Sequence, residues 1–182
     1  MQKIFTSLLV VFVAFSSTSL ASSRVTEDRA RAILLRLAEA RADLSRNPSR
    51  YYGPAQTEPL NDPCFFNQKD LCALVGWESK SAQRCRISDK MEALACCHRY
   101  SNSQYCWDGV IDAQAMKVFN DNALSYASLY GACDERYRAP TGLWSLFSGP
   151  NADTVDANFL SCIQNGFRAN PSLPVLFSAP VE

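Results

Sequence analysis

The chain holds a single histidine, His98, directly behind two adjacent cysteines, Cys96 and Cys97. Imidazole and thiol are the side chains best suited to nucleophilic and metal chemistry near neutral pH, so chemistry is sought here first. A serine hydrolase would use His98 as general base, with a serine in reach and an acid behind the ring. The sequence offers no Gly-x-Ser-x-Gly elbow to support that arrangement. Zinc sites space their ligands by two to four residues, whereas Cys96, Cys97 and His98 are consecutive. The expectation is a structural histidine beside a disulfide, with no catalytic residue, no metal ligand and no cofactor.

The cysteines carry more information than the histidine. All eight lie beyond residue 60: Cys64, Cys72, Cys85, Cys96, Cys97, Cys106, Cys133 and Cys162. An even count behind an export signal reads as four disulfides formed in an oxidising compartment. Neighbouring helical positions point about 100° apart, so Cys96 and Cys97 address different partners. One should tie back to the 64–85 segment and the other reach forward to Cys133 or Cys162, making the helix that bears them the hub of the staple. Each closed loop typically stabilises by roughly 2–4 kcal/mol.

These residues must be positioned by the mature chain. Lys3, an apolar run from Ile4 to Phe15, and the small residues Ser19 and Ala21 form an export signal cleaved after Ala21. The run is too short to span a bilayer, and no later segment replaces it, so no stable membrane anchor is expected. Without residues 1–21, 17 basic residues face 18 acidic ones with no polybasic tract. Nucleic acid and anionic membrane are therefore poor partners, since both are held by clustered Lys and Arg.

Residues 22–62 form a cysteine-free arm. Ala30, Ile33, Leu34, Leu37, Ala40 and Leu44 recur at helical spacing, and acids at Glu27 and Asp28 precede bases at Arg41 and Arg46. This predicts an amphipathic helix that stops near Arg46, because Asn47-Pro48 disfavours helical geometry. The arm either docks on the rest of the chain or serves as a pro-segment or partner-binding helix. Residues 63–182 form the disulfide-rich body. One helix is expected from Ser88–Lys90, with Asp89 as cap and Glu92 completing a capping box, ending at Ser101–Ser103. Another should start near Asp108, carry Ile111, Ala115, Val118, Phe119, Asn122, Tyr126 and Tyr130, and close at Gly131. A last helix should run from Asn151 to Gly166, with Val155, Phe159, Cys162 and Ile163 inward. No segment alternates long enough for a strand, so the fold class is all-α: a compact disulfide-stapled helical domain preceded by an amphipathic helix.

A double cysteine on a helix, in a helical and disulfide-rich secreted chain, resembles the secreted phospholipases A2. That family places a His-Asp pair two residues after the double cysteine and a glycine-rich calcium loop upstream. Here His98 follows at once, its neighbour is Arg99, and Gly76 is the single glycine between Cys64 and Cys85. The base dyad and calcium ligands are missing, so the resemblance implies architecture and not chemistry. The spacing of Cys97 and Cys106 is similar to that in six-helix odorant-binding proteins, whose Cys-x3-Cys is absent.

Binding is what remains. Arg99, Tyr100, Tyr105 and Trp107 lie on or beside a loop anchored by Cys97 and Cys106, and aromatics with arginine on a pre-organised loop favour recognition. The same residues also suit the half-buried edge of a core. Trp144 and Phe147 belong to an apolar run between Pro140 and Pro150 that is either a short core helix or an exposed patch. The expected function is that of a secreted, extracellular binding protein, a signalling factor or toxin-like ligand of a protein partner. The alternatives are a carrier of a small apolar ligand and a hydrolase on a degenerate phospholipase-like frame.

Overall fold

A computed structural model describes residues 25–47, 62–65, 80–106, 112–138 and 152–177. Among them are four α-helices, a single 3₁₀ turn at Gln104–Cys106 and no strand, so the domain is all-α and disulfide-stapled. The helices are α1 (Glu27–Arg46), α2 (Lys80–Arg99), α3 (Ala113–Arg136) and α4 (Ala152–Ala169). α2 and α3 pack on each other, and both α1 and α4 pack on that pair.

α1 forms where its periodicity places it and ends at Asn47, whose backbone N–H closes on the Asp43 carbonyl. Its buried face includes Ile33, Leu34, Leu37 and Leu44, but Ala40 is exposed and Arg41, 1 % exposed, takes its place. The arginine is accommodated because Asp89 on α2 receives its Nη1 at 2.7 Å, which supplies the counter-charge that burial requires. The helix is therefore an integral layer of the core, held without any disulfide of its own.

α2 begins at Lys80, eight residues before the expected start, so Asp89 and Glu92 are interior residues and form no capping box. Asp89 is instead the partner of Arg41, and Glu92 lies nearly enclosed among charged groups. Burial pushes the Glu92 carboxyl up to about 7 against the opposing pull of Arg41. The helix ends at Arg99 and a turn follows at Ser101–Asn102, as expected.

α3 opens on Asp112, whose carboxylate accepts the Gln114 N–H at 2.9 Å. It continues through Gly131, and α4 continues through Gly166, so neither glycine is a terminator. Each marks a close approach of helices. A Cβ at Gly131 would overlap Ile33 Cδ1 and lie 3.2 Å from its Cγ1; one at Gly166 would overlap Leu129 Cδ1. A bare Cα–H lets α1 and α4 settle on α3, and that requirement reads in sequence like a cap. The core fills the space between helices with aromatic rings: Phe119 stacks on Tyr126, and Phe177 meets Tyr126 edge-on.

The disulfides correct one expectation. Cys96 ties back to Cys64, but Cys97 bonds Cys106 nine residues on, and Cys133 and Cys162 join each other. The chain reverses directly after α2 and brings Cys106 under Cys97, while neighbouring α3 and α4 set Cys133 against Cys162. Cys85 is also disulfide-bonded, and no described cysteine is free. Cys72, Trp107, Trp144, Phe147 and the cleavage position Ala21 lie outside the described residues.

Candidate functional site

The loop after α2 is built by Asp62. Its carboxylate accepts from the Ser103 hydroxyl at 2.5 Å and from the backbone N–H groups of Cys64 and Tyr105 at 2.8 and 3.2 Å. Burial pushes this carboxyl up, but the hydrogen bonds from Ser103, Cys64 and Tyr105 together hold it below the usual range. The Cys97–Cys106 disulfide closes the same turn. Tyr105 is half-buried with its ring 5.5 Å from that of Phe65, and Tyr100 is half-buried with its hydroxyl donating to Glu39 at 2.8 Å. Arg46 also donates to Glu39, at 2.9 Å, and the hydrogen bonds from Tyr100 and Arg46 hold that carboxyl below its ordinary value. Tyr105 thus packs the loop on Phe65, and Tyr100 ties the end of α2 to α1.

Arg99 meets the same Glu39 carboxylate from the end of α2. It is exposed, pairs with Glu39 at 3.0 Å, and reaches the rim of a groove of about 790 Å³ where α1, α2 and α3 meet. α1 supplies Arg31, Leu34 and Leu35; the last turn of α2 supplies Ala95, His98 and Arg99; α3 supplies residues 120–125. α3 is kinked where it lines the groove. Asn122 has non-helical φ −131° and ψ 19°, and its side-chain amide donates to the Val118 carbonyl at 3.0 Å, four residues back. A side chain inserted into the helix ladder is a recognised cause of such a bend.

His98 stands on the groove wall, exposed, with Nδ1 2.7 Å from Asn120 Oδ1 and its ring edge-on to Phe119. An amide oxygen fixes the ring's orientation, but it lacks the charge with which a carboxylate would stabilise an imidazolium. The wall is chemically mixed: leucine and alanine below, guanidinium, imidazole and amide around. Such a surface can bury an apolar anchor while pairing polar groups at its edge, the composition of a recognition site.

The sulfurs of Cys64, Cys97 and Cys106 lie within 4.8 Å of one another. Cys64 is bonded to Cys96 and Cys97 to Cys106, so no thiolate remains there to hold a metal.

Of the expected binding residues the structure brings Arg99 to the groove, leaves Tyr100 and Tyr105 out of its lining as half-buried residues that hold the turn after α2, and does not describe Trp107, Trp144 and Phe147. Sequence reasoning missed Arg31, Leu35 and Asn122 as site residues. Two signals were available: Leu34-Leu35 places one leucine off the apolar stripe, and Asn122 interrupts an otherwise apolar face of α3. No protein-family model, curated protein or solved structure matches the chain.

Proposed function

We propose that the protein is a secreted, disulfide-stabilised binding protein that engages an extracellular protein partner, as a signalling factor or toxin-like ligand, through the groove between α1, α2 and α3. The observation that carries this reading is Leu35, 44 % exposed and lining that groove together with Arg31. An exposed leucine alone is ordinary, but one set in a concave surface with cations around it has the composition of an interface anchor. The disulfides are compatible with an extracellular setting. No helix among the described residues is long and apolar enough to cross a membrane.

Immobilised full-length protein is exposed to surface-biotinylated cells and medium from its own source, beside Leu35→Asp and His98→Ala. The reading expects one partner retained by wild type and lost with Leu35→Asp. Retention by Leu35→Asp at wild-type level would refute the groove as contact surface. Hydrolysis by wild type that His98→Ala abolishes would favour an enzyme instead.

A further inference from the structure

We propose that the two disulfides at the end of α2 form a thiol-operated exchange pair: when a low-molecular-weight thiol opens Cys97–Cys106, the Cys106 thiolate moves onto Cys64 and frees Cys96. The products are a Cys64–Cys106 bond and two adjacent thiols, Cys96 and Cys97, on α2. This device is independent of the groove and of whatever the groove binds.

Sulfur placement carries the inference. Cys64 belongs to one disulfide and Cys97 and Cys106 to the other, yet their three sulfurs lie within 4.8 Å of one another. Exchange requires a thiolate with access to a disulfide sulfur. A thiolate released from the Cys97–Cys106 bond has that sulfur beside it, with the advantage of an intramolecular reaction.

Asp62 holds the new partners together without help from either disulfide. Its carboxylate accepts the Cys64 N–H at 2.8 Å and, from the turn, the Ser103 hydroxyl at 2.5 Å and the Tyr105 N–H at 3.2 Å. The Cys106 N–H donates in turn to the Ser103 carbonyl at 3.2 Å. Residues 62–65 and 103–106 are thereby joined by hydrogen bonds, so Cys64 and Cys106 stay side by side once the shorter disulfide opens.

The order of opening follows from loop length and exposure. Cys97–Cys106 closes a sequence separation of 9 and Cys64–Cys96 one of 32, and a shorter loop restrains the unfolded chain less. Cys97 and Cys106 are 3 % and 5 % exposed, against 1 % and 0 % for Cys64 and Cys96, so an incoming thiol reaches the shorter bond first.

The steps balance. One thiolate attacks the Cys97–Cys106 bond, forming a mixed disulfide with one cysteine and expelling the other. A second thiolate displaces the first as a small disulfide, leaving both cysteines reduced. The Cys106 thiolate then bonds to Cys64 Sγ as the Cys64–Cys96 bond breaks, and Cys96 leaves with the electron pair and takes up a proton. Two small thiols have become one small disulfide, and the protein has exchanged one disulfide for two thiols. The end of α2 that carries His98 and Arg99 loses both cross-links, while the turn and residues 62–65 become tied to each other.

The test titrates full-length protein, with its native disulfides, with glutathione until this pair is first reduced. Thiols are trapped with N-ethylmaleimide and the protein is digested with trypsin. Cys64, the Cys96 and Cys97 pair, and Cys106 then fall on three peptides, 51–69, 91–99 and 100–117. Exchange yields 51–69 joined to 100–117, with 91–99 free and doubly alkylated. This should be about a third or more of the product, since three sulfurs compete for Cys64 on similar terms. If 51–69 remains on 91–99 and only 100–117 is released, the shorter bond has opened without reaching Cys106–Cys64, and the inference is overturned. Release of 51–69 with 91–99 still joined to 100–117 also overturns it, because Cys64–Cys96 has then opened first. Asp62→Ala, with helix content and melting temperature checked, should cut the exchanged share severalfold; an unchanged share contradicts the positioning of the pair by Asp62.

Discussion

The two ends of α3 differ in what surrounds them. Past the kink at Asn122, Tyr126, Tyr130 and Cys133 are buried, Gly131 receives Ile33, and the Tyr130 hydroxyl donates to Ser88 at 2.9 Å. Asp134 there is held by Arg138 at 2.6 Å and Arg84 at 3.4 Å, and Arg84 also reaches Asp156 on α4 at 2.8 Å. Before the kink, Lys117, Asn120 and Asp121 face solvent and line or adjoin the groove. One half joins three helices through a disulfide, packed glycines and enclosed ion pairs. The other begins a concave wall that runs across the kink through residues 120–125, so the contact surface we propose adjoins the packed end of the helix, with Leu35 on α1 as its exposed leucine.

The strongest way to break that division is from the packed side. Arg41→Ala strands the Asp89 carboxylate at the α1–α2 interface, and loss of one partner of an enclosed pair should cost about 3 kcal/mol in urea unfolding. Next comes the disulfide across α3 and α4. Replacing Cys133 and Cys162 with alanine frees a loop of sequence separation 29 and should cost about 2–4 kcal/mol.

Glu92 sharpens the same side through pH. Its folded carboxyl keeps the proton up to about pH 7, whereas the ordinary value is 4.5. Between those values the folded state binds more protons than the unfolded state, so wild-type stability falls as pH rises through the window. Glu92→Gln removes that fall. The variant should match wild type below pH 4.5 and exceed it by about 1–3 kcal/mol above pH 7, as followed by denaturant midpoints across the range.

The smallest stability effect belongs to the groove. Leu35→Asp should shift unfolding by no more than about 0.5 kcal/mol, since the side chain is largely in water, yet remove partner capture. A loss of stability comparable to that of Arg41→Ala would place Leu35 in the core and end its assignment to an exposed surface.

The all-α class, the span of α1 and the inward face of α4 were legible because apolar residues recur at helical spacing over many turns. So was the return of one of the adjacent cysteines to the 64–85 segment, since adjacent helical positions diverge; that it is Cys96 and that it meets Cys64 was not. The start of α2 was not, because Lys80–Ser88 is rich in polar residues and Asp89 resembles a cap until Arg41 is seen opposite it. Gly131 and Gly166 mislead for a related reason: a glycine that ends a helix and one that admits a neighbouring helix look alike in one dimension. The groove was the least legible feature. It lies where a side chain of α3 bonds its own backbone and where Arg31, His98 and Asn120 meet across three helices, neither of which leaves a periodic trace.

The most direct test compares the two large hydrophobic side chains that are most exposed among the described residues, Leu35 at 44 % and Val175 at 61 %. A photoreactive benzoylphenylalanine is placed at one position or the other in full-length protein, which is then incubated with its source cells and irradiated. The account predicts a discrete cross-linked species from position 35 and none from position 175, although Val175 is the more exposed. Cross-linking from position 175 alone, or equally from both, would contradict the assignment of recognition to the groove.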